Sequence, residues 1–317
     1  MIVVLTGGTG GAKFVDGLRH VMPAQDLTII VNTGDDHEWW GLYVSPDIDS
    51  ISYMLAEILS SERGWGISGD TFHCLQAMKK LREPTWFSVG DRDLATHLTR
   101  TKLLAQGHTL TEATQVIAER LGVRSRILPM SDTPVETRID MPAGEFTFEE
   151  YFVQRKHQDP VNSVRFAGAS ESKPAPGVLE AIAGAQAILI APSNPITSIG
   201  PILAVPGIRA ALRQTPAQIV AVSPIVGRTA VSGPAGTLME AAGLEVSISG
   251  VLTAYWDFLD VLVADTTDSE LAAKFETHHP RVECTNIIMR APEDRVRLAS
   301  HVLDLATSEI ADTAGAK

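Results

Sequence analysis

The sequence predicts an α/β fold in which a mostly parallel sheet with helices on both faces carries a mostly helical inserted subdomain. Three observations lead to it. Short continuous apolar runs bounded by turn residues recur at residues 2–5, 27–31, 187–191, 219–222 and 261–264, the pattern of strands buried on both faces. Stretches of helical period lie between most of them. Several runs end on polar, turn-forming residues, and the carboxyl ends of parallel strands are where such sheets collect their ligands.

The first strand, 2–5, runs straight into Gly7-Gly8-Thr9-Gly10-Gly11-Ala12-Lys13, with a helix expected over 12–21. Glycines let backbone N–H groups approach an anion closely, and the helix adds the positive end of its dipole. The motif matches neither standard phosphate loop. Lys13 stands where the dinucleotide fingerprint has its third glycine, and the Gly-Lys-Ser/Thr ending of a P-loop is missing. From the residues alone it is either a tight strand-to-helix turn or a phosphate site.

The second strand, 27–31, ends in Asn32-Thr33-Gly34-Asp35-Asp36. After Asp49-Ser50, the residues Ile51, Met54, Leu55, Ile58 and Leu59 form one helical stripe expected to face the sheet. Over 61–165 the buried-strand rhythm stops. Helical segments replace it, one opened by the capping box Thr109-Leu110-Thr111-Glu112. At the far end Val135-Glu136-Thr137-Arg138-Ile139 alternates, and Phe146-Thr147-Phe148 precedes Tyr151-Phe152-Val153, so a few antiparallel strands are expected. Ser172-Lys173-Pro174-Ala175-Pro176-Gly177 then turns the chain back. The organisation is a core of residues 1–60 and 166–317 with an insertion at 61–165, and residues 309–317, small and polar, are expected to fray.

A chain of 317 residues, 44% hydrophobic, can bury a full core. A net charge of −12 without a long Lys/Arg run argues against nucleic-acid or membrane-surface partners. An anionic ligand would therefore need local cations or a metal. Cys74 and Cys284 give neither a disulfide framework nor a zinc spacing and are expected to be reduced and buried. No apolar run approaches the roughly 20 residues that span a bilayer, and the opening apolar run has no basic leader, so a cytoplasmic protein is expected.

Four carboxylates, Asp35, Asp36, Asp47 and Asp49, gather near one sheet edge. Oxygen-rich groups of this kind suit Mg²⁺ or Mn²⁺, which bind one or two carboxylates plus substrate phosphates. Singly, Asp49 could cap the helix after it and Asp35-Asp36 could form a turn. In Gly90-Asp91-Arg92-Asp93-Leu94-Ala95-Thr96-His97, Asp93 is placed to cap a helix. Arg92 could form a surface ion pair or a fork onto phosphate, and His97 could pack, cap or act as a base. Beyond the third core strand, Pro192-Ser193-Asn194-Pro195-Ile196-Thr197-Ser198 offers hydroxyls, an amide and a helix start to a nucleotide. Ser223-Pro224-Ile225-Val226-Gly227 ends the next strand similarly, and the role of Asp265-Thr266-Thr267-Asp268 stays open.

These motifs, with Pro129-Met130-Ser131-Asp132 between them and taken in order over nearly the whole chain, resemble the 2-phospho-L-lactate transferase family of coenzyme F420 biosynthesis (CofD or FbiA). The resemblance implies a Rossmann-like core, a homodimer and a requirement for Mg²⁺. It also implies transfer of a phospholactyl-type group (2-phospho-L-lactate, phosphoenolpyruvate or phosphoglycerate) from a guanosine-diphospho donor to the deazaflavin Fo, with release of GMP. By the same resemblance Asp49 and Arg92 contact the deazaflavin and are the catalytic candidates, and Asp35 or Asp36 with Asp49 hold the metal. Substrate contacts are expected at Gly8, Thr9, Gly10, Gly11, Lys13, Asn32, Asp49, Arg92, His97, Ser193, Asn194, Thr197 and Ser198. The alternative is a nucleotide-sugar-binding regulator of the same fold, similar to YvcK. A nicotinamide oxidoreductase fits less well, because the third fingerprint glycine is absent, Lys13 standing in its place.

Overall fold

Seven strands form one parallel sheet: β1 (Ile2–Thr6), β2 (Leu27–Val31), β3 (Arg126–Pro129), β4 (Ala187–Ile190), β5 (Gln218–Val222), β6 (Val261–Asp265) and β7 (Arg281–Thr285). The computed structural model describes residues 1–275 and 279–314. In space the order is β3-β2-β1-β4-β5-β6-β7. The order in which successive strands are added therefore reverses between β1 and β4, the place where an open parallel sheet leaves a crevice outside its strand ends. Strands β1, β2, β4 and β6 are buried throughout, as their unbroken apolar runs require.

Alternate residues of β1 supply two cores. Ile2 and Val4 pack with Phe14, Leu18, Leu298 and Val302 on one face, and Val3 and Leu5 pack with Val178, Ile182, Ile199 and Ile202 on the other. At about 25 cal/mol per Å² of apolar surface removed from water, these two layers are the main favourable term in folding.

The five apolar runs all become strands of this sheet. The two strands that the apolar pattern did not reveal, β3 and β7, are the sheet edges. β3 begins on an exposed arginine and β7 is only half-buried along its length, so neither carries the signature of a two-sided burial. Because β3 pairs with β2 from Thr28↔Arg126 to Val31↔Pro129, the stretch 61–165 does not lie wholly outside the core. Before β3 the stretch is helical, with α3 (His73–Lys80), α4 (Asp93–Ala105) and α5 (Leu110–Arg120), and the Thr109/Glu112 capping box forms in both directions.

A small antiparallel sheet pairs Glu136–Met141 with Gly144–Thr147 and Ser163–Ala167. Tyr151-Phe152-Val153, expected as a strand, lies instead in a π-helical turn, Glu150–Gln154. Thr147 Oγ1 accepts from Glu150 N while Glu150 Oε2 accepts from Thr147 N, a reciprocal cap that turns the chain into a helix.

Helix α1 (Gly8–Val21) starts four residues earlier than expected, so the glycines are its first turn rather than a loop before it. Helix α2 (Pro46–Leu55) begins with proline at its first position. Asp49 therefore sits in its first turn and does not cap it, and Ile58 and Leu59 fall beyond its end. The C-terminal helix, Pro292–Ala314, includes much of the segment expected to fray, and residues 315–317 of that segment lie outside the described residues. Cys74 and Cys284 are free and half-buried rather than fully buried. Among the described residues no helix is long and apolar enough to cross a membrane.

Helix α1 packs along the C-terminal helix at Gly17. A Cβ there would stand 2.2 Å from the Arg295 carbonyl oxygen and 2.9 Å from Ala299 Cβ. Gly→Ala in mid-helix ordinarily stabilises by up to about 1 kcal/mol. Gly17→Ala should instead destabilise by about 1–3 kcal/mol through overpacking, read as a lowered urea midpoint; a raised midpoint would show that the two helices separate freely.

Candidate functional site

Outside the carboxyl ends of β1, β2, β4 and β5 lies one cleft of about 1150 Å³. Its floor is the glycine turn. Gly7 and Gly8 are glycines for different reasons. A Cβ on Gly7 would fall 2.6 Å from Asp47 Oδ2 and 3.0 Å from both Asn32 Cβ and Ser198 Cβ, so three loops can close on β1 only around a bare backbone. Gly8 has φ +70°, which L side chains avoid. Its N–H donates to Asp47 Oδ1 at 2.7 Å. Thr9 and Gly10 face the cleft beside it, in a first turn whose N–H groups lack intrahelical partners, and Lys13 faces it from the next turn. Gly11 lies behind the turn, where a Cβ would meet Thr6 Oγ1 at 1.9 Å.

Asn32 is wholly buried and ties the turn to its neighbours. Its amide nitrogen donates to Asp35 Oδ2 at 3.0 Å, to Asp47 Oδ2 at 2.9 Å and, more weakly, to the Thr197 carbonyl at 3.3 Å. Asn32 is thus a scaffold beneath the site rather than part of its lining. Asp35 and Asp47 line the cleft together with Glu149 from the small-sheet region. Burial raises all three carboxyl groups: Asp35 well above its ordinary value with help from Asp47 and Glu149, Asp47 to about 6 against the Asn32 and Gly8 hydrogen bonds, and Glu149 to about 8 with help from Asp47 and Asp36.

The grouping Asp35, Asp36 and Asp49 does not form one site. Asp36 turns away from the cleft and accepts from Ser45 Oγ at 2.7 Å and Tyr43 Oη at 3.0 Å, and burial raises it to about 8. Asp49 lines the cleft but is clamped by Arg100, whose Nη1 donates to Oδ2 at 3.1 Å and whose Nη2 pairs with Oδ1. Among the described residues no three acid, histidine or cysteine groups stand as a ready-made metal cage. Asp35 Oδ1 is nonetheless buried without a partner beside Asp47, which suits a hard cation that takes one or two carboxylates and fills its remaining positions with water and phosphate.

The Asp49 wall comes from α2 and α4. His97 Nδ1 is 3.5 Å from Asp49 Oδ2 and its Nε2 3.5 Å from Asp93 Oδ1, and Tyr53 Oη donates to Asp93 Oδ1 at 2.6 Å. Burial alone would raise the Asp93 carboxyl, but the His97 and Tyr53 hydrogen bonds hold it below its ordinary value. Asp93, His97 and Arg100 recur at i, i+4 and i+7, one inward polar face of α4. That spacing was the available signal for Arg100 and Asp93, neither of which the sequence reading placed in the site.

Arg92 is exposed and does not line the cleft, its Nη1 donating to the Ser68 carbonyl at 2.9 Å. Asp93 does not cap α4 either. Asp70, from the preceding loop, accepts from Arg92 N and Asp93 N and thereby fixes the helix start that was assigned to Asp93.

From β4 the expected turn arrives as expected, with Ser193, Asn194, Thr197 and Ser198 all lining the cleft. Ser193 Oγ donates to the Gly7 carbonyl at 2.7 Å, and Asn194 Oδ1 accepts from Ile196 N at 2.9 Å; the buried Thr197 Oγ1 has no partner. Ser223, Pro224 and Val226 line the far end. Asp265 and Asp268 belong to packing, not to the site: Asp265 accepts from Thr267 N and Ile287 N, and Asp268 from Gly227 N.

Residues 2–299 match the family described as 2-phospho-L-lactate transferase CofD. Proteins named 2-phospho-L-lactate transferase from Methanosarcina mazei and Methanosarcina acetivorans are 40% identical over 302 residues and 42% identical over 305. The first comparison covers 95% of this chain and 99% of the relative, the second 96% and 98%. A protein named phosphoenolpyruvate transferase from Streptomyces coelicolor is 39% identical over 311 residues, 96% of this chain and 98% of its own. A solved structure of a UPF0052-family protein from Bacillus halodurans shares the fold at TM-score 0.64 and 18% identity, covering 95% of this chain and 98% of that one.

Arg100 is fully buried, so Arg100→Met strands the Asp49 charge and should cost about 3–5 kcal/mol. Adding Asp49→Asn should restore much of the lost thermal midpoint, and a double variant no better than the single one would refute the pairing. The raised Glu149 carboxyl has a sign that can be tested. A folded pKa of about 8 against an ordinary 4.5 means the folded state keeps a proton that the unfolded chain releases, so this contribution is complete below about pH 4.5 and is lost as pH rises through 8. Between pH 5 and 9 the thermal midpoint should fall less steeply for Glu149→Gln than for the wild type, and identical slopes would contradict it.

Proposed function

The chain belongs to the 2-phospho-L-lactate transferase CofD family, and from that membership we propose that it transfers a phospholactyl-type group from a guanosine-diphospho donor to the deazaflavin Fo. The observation that carries the reading is the convergence, in one cleft at the sheet's switch point, of the glycine turn, the Asp35–Asp47 pair, the Asp49 wall and the Ser193–Ser198 turn. A cleft of about 1150 Å³ has room for a nucleotide and a second planar ligand together.

In this reading Lys13 and the first-turn N–H groups of α1 hold the diphosphate, and the Ser193–Ser198 turn holds the nucleoside. The acceptor's hydroxyl oxygen bonds to the phosphorus that carries the lactyl-type substituent through its 2-oxygen. The bond from that phosphorus to the bridging oxygen breaks, and GMP leaves with the electron pair. Asp49, kept in one orientation by Arg100, aligns the hydroxyl, and the Asp49–His97 pair takes its proton. Asp35 and Asp47 would hold Mg²⁺, which supplies neutralisation of charge on the diphosphate oxygens. The orphaned Asp35 Oδ1 supports that assignment. Family membership also supports a homodimer, for which light scattering is the check.

Relatives bear both lactate and enolpyruvate names, so the decisive experiment supplies Mg²⁺, Fo and each guanosine-diphospho donor in turn. Mass spectrometry should find the phosphodiester and GMP with one donor, and no product with any donor would refute the transfer. Asp49→Asn should lower turnover by about 10²–10⁴-fold with the circular-dichroism spectrum unchanged, and near-normal turnover would remove Asp49 from the reaction.

A further inference from the structure

Arg63 lines the cleft from the loop between α2 and α3. That loop crosses the opening. A Cβ on Gly64 would lie 3.9 Å from Thr9 Cγ2 of the glycine turn, and one on Gly66 would lie 3.8 Å from Asp93 Oδ2 on the opposite wall. Within it the guanidinium is fixed from several sides. Its carbon stands 5.4 Å from the Trp65 ring centroid and 5.2 Å from that of Phe72, and Nη2 donates to the Ile67 carbonyl at 2.9 Å. Rings against a guanidinium cover its faces and leave the in-plane N–H groups available for hydrogen bonds.

The charge itself is unanswered. Among the described residues Arg63 makes no ion pair with Asp or Glu, whereas Arg19, Arg100 and Arg295 each do. Its Nε is buried without a partner, a cost that the folded protein carries. A rigid, unpaired guanidinium over a phosphate-type turn is set up for a planar or tetrahedral anion. Building on the transferase reading, we infer that Arg63 clamps an oxyanion of the bound donor, in the role that Arg92 does not reach. Two groups of the donor share that chemistry, the diphosphate and the carboxylate of its lactyl-type substituent.

The test titrates GDP with Mg²⁺ by calorimetry and measures the donor KM, for wild type, Arg63→Gln and Arg63→Lys, with thermal midpoints as the folding control. A clamp predicts a loss of at least about tenfold for Arg63→Gln and partial recovery in Arg63→Lys, which keeps the charge but not the fork. Weakened GDP binding assigns the clamp to the diphosphate. Unchanged GDP binding with a raised donor KM assigns it to the carboxylate. Arg63→Gln that binds GDP and turns over donor within about twofold of wild type, at an unchanged midpoint, overturns the clamp alone. Wild-type protein that neither binds GDP nor forms product overturns the transferase reading, and the clamp falls with it.

Discussion

The architecture of the cleft depends on one carboxamide. Asn32, at the carboxyl end of β2, places its amide nitrogen between Asp35 and Asp47 and reaches the Thr197 backbone of the β4 turn, while its own Oδ1 accepts from Gly34 N at 2.8 Å. Asp47 in turn holds Gly8 N. Loops from three strands and the start of α2 are thereby joined through a single buried side chain. A neutral amide can do this where a cation could not so readily, because its two N–H groups satisfy two carboxylates without cancelling the negative charge they offer the cleft.

That uncancelled charge shapes the rest of the site. Asp35, Asp47 and Glu149 are buried, Asp47 helps to raise both of the others, and no lysine or arginine is paired with them among the described residues. Burying like charges together is unfavourable unless they are protonated or something positive arrives. Asp49 is treated oppositely, with Arg100 paired to both of its carboxylate oxygens. The protein thus separates two acidic groups by environment: one buried without a cationic partner, one fixed in place by Arg100. Folding stability is given up at the first group, as commonly happens where a structure is built around its ligand.

Much of this was legible in the residues. The five unbroken apolar runs read correctly as buried parallel strands because two-sided burial leaves no room for polar alternation. The glycine turn and the Ser193–Ser198 turn read correctly as cleft-forming because each follows such a strand directly. The edge strands were invisible for the converse reason: Arg126 and Glu283 are tolerated where one side of the strand meets solvent. Thr147-Phe148-Glu149-Glu150 carried a capping signature that distinguishes the π-helical turn from a strand, masked by the aromatic run around it.

Residue type and short spacing determined the class of fold, the strands of its interior and the turns that line the cleft, since those follow from local burial pattern and backbone freedom. They also brought four aspartates to one edge. Which carboxylate faces the cleft is not a local property. Asp47 rather than Asp36 lines it, and Asp49 rather than Asp35 receives Arg100, because α4 and α2 pack so that a residue 51 positions away reaches Asp49. Likewise Arg63 and Arg92 are alike in sequence, each an arginine in a loop of the same region. Only the crossing of one loop over the glycine turn, and the retreat of the other to Ser68, decided which of them stands at the site.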